Sequence, residues 1–167
     1  MEKEVYRHYG HSKFNKDLFI PIHNREFSNK PLGGLWSCPT KDVDIDWKTW
    51  SEGNEFALYR LEEHFDFKIK DSANILEIKD IKDLDKLPRI SDRSQLKQYI
   101  ELIDNMNSDI DFEELAKEYD GIMVWMYRSK DIDIETKMFD GMYYRMYGWD
   151  VDTLVVFNSD IIEEVDV

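Results

Sequence analysis

Two rhythms of apolar residues run along this chain. Strict alternation holds from Glu4 to Tyr9, with Val5, Arg7 and Tyr9 on one side and Tyr6 and His8 on the other, and again from Phe65 to Ile69. Both stretches predict strands. Short apolar runs at Leu35–Ser37, Ile75–Ile78, Ile122–Met126 and Thr153–Phe157 predict further strands, the last of them central in a sheet. Helical spacing marks Ser94 to Asn105, through Leu96, Tyr99, Ile100 and Ile103, and then Ile110 to Tyr119, where Asp111 is placed to cap. Shorter helical pieces are expected from Trp47 behind an Asp46 cap, from Phe56 to Leu61, and from Ile81 to Leu87. Pro21 limits the segment from Phe14 to Ile22 to a turn or two. Met142 to Tyr147 fits either state, Ser129 to Phe139 reads as charged loop, and Asn158 to Ile162 as a turn with a short final extension.

Strands come first, helices sit in the middle, and strands return at the end. That segregation predicts an α+β fold rather than a doubly wound parallel sheet. No repeat, low-complexity tract or Gly/Ser/Pro linker divides the chain, so residues 1–167 read as one domain.

The stretch Lys30-Pro-Leu-Gly-Gly-Leu-Trp-Ser-Cys-Pro39 organises the rest. Pro31 stops what precedes it, Gly33 and Gly34 supply backbone freedom, and Pro39 ends the strand. A glycine pair feeding a strand marks a place where a ligand or a second backbone comes close. Ser37 is expected at the end of this strand, with its hydroxyl beside the Trp36 ring.

Composition narrows the function classes. Hydrophobic residues make up 42% of the chain and aromatics 14%, enough for a packed core. The formal charge of −14 disfavours direct binding to nucleic acid or an anionic membrane, and suits a basic protein partner or plain solubility. The opening Met-Glu-Lys-Glu lacks the apolar run of a signal peptide, and no 18-residue apolar segment occurs, so the expectation is a cytoplasmic protein. Cys38 is the one cysteine, which excludes an internal disulfide and any CxxC metal site. As a nucleophile beside His8 or His23 it is a weaker reading than a packed side chain. There is no GxGxxG or Walker loop, and the four histidines lack HExxH spacing. His8 and His11 with an acid give only a weak metal signal, so no metal is expected.

Three polar sites fall where strands begin or end: Arg7-His8, Trp36-Ser37, and the pair Asp150 and Asp152, which on a strand would share a face. Together, Val-Tyr-Arg-His-Tyr-Gly10, Gly-Gly-Leu-Trp-Ser37, Tyr-Asp-Gly-Ile-Met-Val124 and Asp-Val-Asp-Thr-Leu-Val-Val-Phe-Asn158 resemble the skeleton of the ADP-ribosyltransferase superfamily. The resemblance implies a split, mostly antiparallel β-sandwich with helices inserted between the N-terminal and C-terminal strands. It also implies NAD as substrate and cleavage of the nicotinamide glycosidic bond. By it, His8 or Arg7 would hold the nicotinamide ribose or the phosphates, and Gly34, Trp36 and Ser37 would line the nicotinamide pocket. Asp152 or Asp150 would steady the oxocarbenium-like transition state, although the family's acid is usually Glu, one methylene longer. The chemistry has its own logic. Breaking a bond to a cationic nicotinamide leaves positive charge on the sugar, which an oriented carboxylate stabilises. Trp36 would stack on the ring and Arg7 would neutralise pyrophosphate.

The Lys-Pro-x-Gly-Gly-Leu-Trp and Tyr-Gly-Trp-Asp patterns also resemble small proteins of bacteria and their phages, without assigning an activity or deciding between toxin and counter-defence. The competing expectation is a non-catalytic acidic binding or inhibitor protein that blocks a basic partner by mimicking nucleic acid.

Overall fold

The computed structural model describes residues 2–25, 28–43, 45–90, 109–127 and 142–165. The helix expected from Ser94 to Asn105 and the loop expected from Ser129 to Phe139 lie outside these. Seven strands form an open sheet: β1 (Tyr6–Tyr9), β2 (Leu35–Pro39), β3 (His64–Ile69), β4 (Ile75–Ile78), β5 (Gly121–Val124), β6 (Thr153–Val156) and β7 (Ile162–Glu164). Their order is β4-β5-β6-β2-β1-β3-β7. Every neighbouring pair is antiparallel except β4 with β5. Three α-helical segments accompany it among the described residues: α1 (Trp47–Gly53), α2 (Phe112–Glu118) and α3 (Met142–Arg145). The fold is α+β and mostly antiparallel. No helix among the described residues is long and apolar enough to cross a membrane.

The helix starts follow from the sequence. Asp46 Oδ1 accepts from the Thr49 amide at 2.8 Å and Asp111 Oδ1 from the Glu114 amide at 3.0 Å, each satisfying one orphan donor of a first turn. Such a cap is worth about 1 kcal/mol. Ahead of the 3₁₀ turn Ile81–Lys86, Asp80 and Asp83 form a reciprocal capping box. The piece expected from Phe56 is shorter, a 3₁₀ turn over Leu58–Glu62. Glu55 and Ala57 adopt left-handed backbone angles, φ 52 and 48, and a right-handed helix cannot pass through them.

Both faces of the sheet centre are covered, which explains why β5 and β6 read as continuous apolar runs rather than as alternations. On the first face, Leu76, Ile78, Ile122, Val124 and Val155 pack against Phe112 and Leu115 of α2 and Met142 of α3. The second face carries Tyr6, Leu35, Phe67, Met123, Leu154 and Val156, covered by Phe14 and Phe19 from the segment after β1. Strand β5 ends at Val124, short of the expected Met126, because Met126 and Tyr127 turn away to bond Asp152.

Candidate functional site

Strand β1 pairs with β3 over its whole length but loses β2 partway, and this positions the site. Tyr6 pairs with Pro39 and Arg7 with Cys38, and there the β1–β2 ladder stops. β1 continues against β3 as far as Tyr9, while β2 from Ser37 back to Leu35 continues against β6. The sheet therefore parts between His8 and Trp36. The carbonyl that faces the gap still needs a donor. His8 provides it: Nδ1 lies 2.7 Å from the Trp36 carbonyl oxygen, which can only accept, so Nδ1 carries the hydrogen.

The gap opens on the second face into a pocket of about 210 Å³. His8 and His11 stand on one lip, Gly33, Gly34 and Leu35 on the other, and Phe14 and Phe19 close over it. Gly33 and Gly34 have φ of 77 and 70 and turn the chain into β2. The Gly34 amide donates to the Ile20 carbonyl at 2.7 Å, clamping the covering segment to this turn. His8 Nε2 lies 3.0 Å from His11 Nδ1, and the two rings stack with centroids 5.2 Å apart. A larger depression of about 420 Å³ between Asp85–Pro88 and Glu114–Tyr119 holds none of the candidate residues.

Burial pushes His8 below its usual value; the Trp36 carbonyl opposes this, and the His11 and Arg60 charges add to it. The unfolded chain therefore takes up this proton at a higher pH than the folded one. Stability is full above the unfolded value of about 6.5 and falls as the pH drops through it. Urea unfolding at pH 7.5 and 5.5 should show a smaller acid loss in His8→Gln than in the wild type. Equal losses would remove His8 as the cause.

The other residues predicted for the site are spread over the sheet. Arg7 points to the face opposite His8, as alternation requires, and is held by Asp66 through bonds of 2.7 and 2.8 Å that raise its pKa further. Ser37 is buried and donates to the Leu154 carbonyl at 3.1 Å. Its hydroxyl is not beside the Trp36 ring, because neighbours on a strand face opposite ways. The Trp36 ring packs on Trp149 with centroids 5.2 Å apart, on the first face, and its Nε1 donates to the Gly33 carbonyl. Asp150 and Asp152 do not share a strand face either, since both precede β6. Asp152 is wholly buried, and its Oδ1 accepts from the Met126 and Tyr127 amides, each at 2.7 Å. Asp150 is half-buried; burial raises its pKa, and the Lys30 charge opposes the rise. The Lys30 amine, itself lowered by burial, lies against Gly148, where a Cβ would fall 3.1 Å from Nζ.

His8 and Gly34 thus meet at one pocket, and Arg7, Trp36, Ser37, Asp150 and Asp152 do not line it. Lys13 and His11 line it without having been singled out as site residues, although the spacing His8-Tyr9-Gly10-His11 across a turn already places two imidazoles together. Burial pushes the Cys38 thiol up to about 11, so it is no nucleophile at neutral pH. Among the described residues no three His, Cys, Asp or Glu side chains gather to hold a metal ion. No family model, curated protein or solved structure matches the chain.

Proposed function

We propose that this chain binds the nicotinamide end of NAD in the pocket beside His8 and acts as an ADP-ribosyltransferase-like enzyme. The observation that carries this reading is the parted β1–β2 ladder, with His8 on one lip and the Gly33-Gly34 turn on the other. Early strands flanked by late ones, β2 by β6 and β3 by β7, suit the order of strands that the resemblance implies, although they lie in one open sheet rather than a β-sandwich. At about 210 Å³ the pocket is smaller than the ~300–1,000 Å³ of a whole small-molecule site, so it suits one end of a dinucleotide. Lys13 lines the pocket and makes no ion pair among the described residues, which suits a phosphate; Arg7 is committed to Asp66. Neither acid lines the pocket: Asp152 holds backbone amides and Asp150 sits near Lys30, so neither faces a sugar bound beside His8.

One observation favours a second reading, a non-catalytic acidic binding protein that blocks a basic partner: among the described residues none that lines the pocket is an acid. Calorimetric titration of NAD into the wild type and His8→Ala, with nicotinamide release followed in parallel, separates the two. The enzyme reading expects saturable binding at or below roughly millimolar NAD, at least tenfold weaker in His8→Ala, together with nicotinamide release. Absence of both in the wild type overturns it and leaves the binding protein.

A further inference from the structure

The hydrogen-bond chain behind the pocket dictates which imidazole nitrogen remains available. The Trp36 carbonyl fixes the hydrogen of His8 on Nδ1. Burial keeps His8 neutral, so its Nε2 is a lone pair, and the contact with His11 Nδ1 requires His11 to donate. In this arrangement both nitrogens of His8 are engaged. His11, with its hydrogen on Nδ1, is left with an unprotonated Nε2, and it is an exposed residue lining the pocket. Among the described residues the other titratable group in the lining is Lys13. Among the described residues no carboxylate lines the pocket, and the further charge that acts on His8 is the guanidinium of Arg60.

We infer that His11 Nε2 is the general base of the pocket, that His8 is its positioning residue, and that the acceptor of ADP-ribose is an O–H group, with water as its simplest member. This rests on the NAD reading above. In the step, the acceptor O–H bond breaks and its proton passes to His11 Nε2. A C1′–O bond forms from the acceptor oxygen, and the C1′–N bond breaks with its electron pair going to the nicotinamide nitrogen. Nicotinamide leaves neutral. The imidazolium formed on His11 keeps its Nδ1–H on His8 Nε2, and His8 remains anchored to the Trp36 carbonyl, so neither ring has to turn. An acceptor that arrives already deprotonated would need no such base.

The test measures nicotinamide release from NAD between pH 5 and 9, in water and in water with methanol, for the wild type, His11→Gln and His8→Gln. Glutamine retains an amide to donate to His8 but cannot take a proton. His11→Gln should lower kcat by about 100-fold, leave KM for NAD within a few-fold, and abolish the acid limb of the kcat profile; methanol should yield the methyl glycoside in the wild type. His8→Gln should lower kcat while retaining that limb. Nitrogen-15 NMR of the free protein should show both imidazoles protonated on Nδ1, a readout independent of turnover. If the wild type binds and turns over NAD but His11→Gln keeps its rate or its acid limb, the assignment of His11 is overturned and the NAD reading stands. A hydrogen found on His11 Nε2 also overturns it. If the wild type neither binds nor cleaves NAD, the NAD reading fails and this inference goes with it.

Discussion

Asp152→Ala should lose roughly 3 kcal/mol of stability. Wholly buried at the entrance to β6, its Oδ1 gathers the amides of Met126 and Tyr127 where the chain leaves β5. Alanine leaves both amides without this acceptor, and the buried one at Met126 cannot turn to water instead. Charge-assisted bonds of 2.7 Å are among the stronger ones a backbone amide makes. Thermal unfolding should fall by about 6–12 °C for a chain of this size. Asn keeps an oxygen at the same place, so Asp152→Asn should lose about half as much. An alanine variant that melts with the wild type would show that the carboxylate is not structural. The pair of variants also separates architecture from catalysis. Lost turnover in the alanine variant alone follows from a loosened β5–β6 end, whereas lost turnover in a well-folded Asp152→Asn would mark Asp152 as chemical.

The second large effect belongs to Gly33→Ala. Gly33 has φ of 77, and a Cβ there would run into the Pro21 carbonyl oxygen and come within 2.7 Å of the Ile20 carbonyl oxygen. These obstacles are backbone, so no side-chain rotation relieves them. Left-handed strain and overpacking together give about 2–5 kcal/mol. The displaced segment is the one that covers the pocket, so ligand binding should weaken as well. Gly10→Ala is the control: φ is 110 and nothing lies within 4 Å of the added carbon, so only strain remains, about 1–2 kcal/mol. Chemical denaturation of the two variants checks the contrast. Equal losses would mean that backbone angle alone, and not the close approach of Pro21, makes residue 33 glycine.

The glycine pair was legible from the sequence because only backbone freedom explains two glycines ahead of an apolar run; what approaches them was not. Asp46 and Asp111 were legible as caps for the same local reason, an oxygen placed ahead of a helical spacing. The α+β class followed from the order of elements, and the opposite faces of Arg7 and His8 followed from alternation.

Other features depended on partners far along the chain. Asp150 and Asp152 looked like a matched pair, yet Asp152 is spent on amides 25 and 26 residues away, while Asp150 sits near Lys30. In the sequence His11 carries only a weak metal signal; its place at the site depends on the β1–β2 ladder, which stops after two pairs and leaves the Trp36 carbonyl for His8 to hold. Local covalent geometry and side-chain period thus determined, from sequence alone, strands β1 to β6, the caps and the need for glycine at the turn, while β7 was legible only as a short extension. Strand pairing decided which carbonyl is left over, and so which imidazole nitrogen keeps its hydrogen. That choice is non-local, because a hydrogen-bond donor is assigned by whatever acceptor the fold brings within about 3 Å.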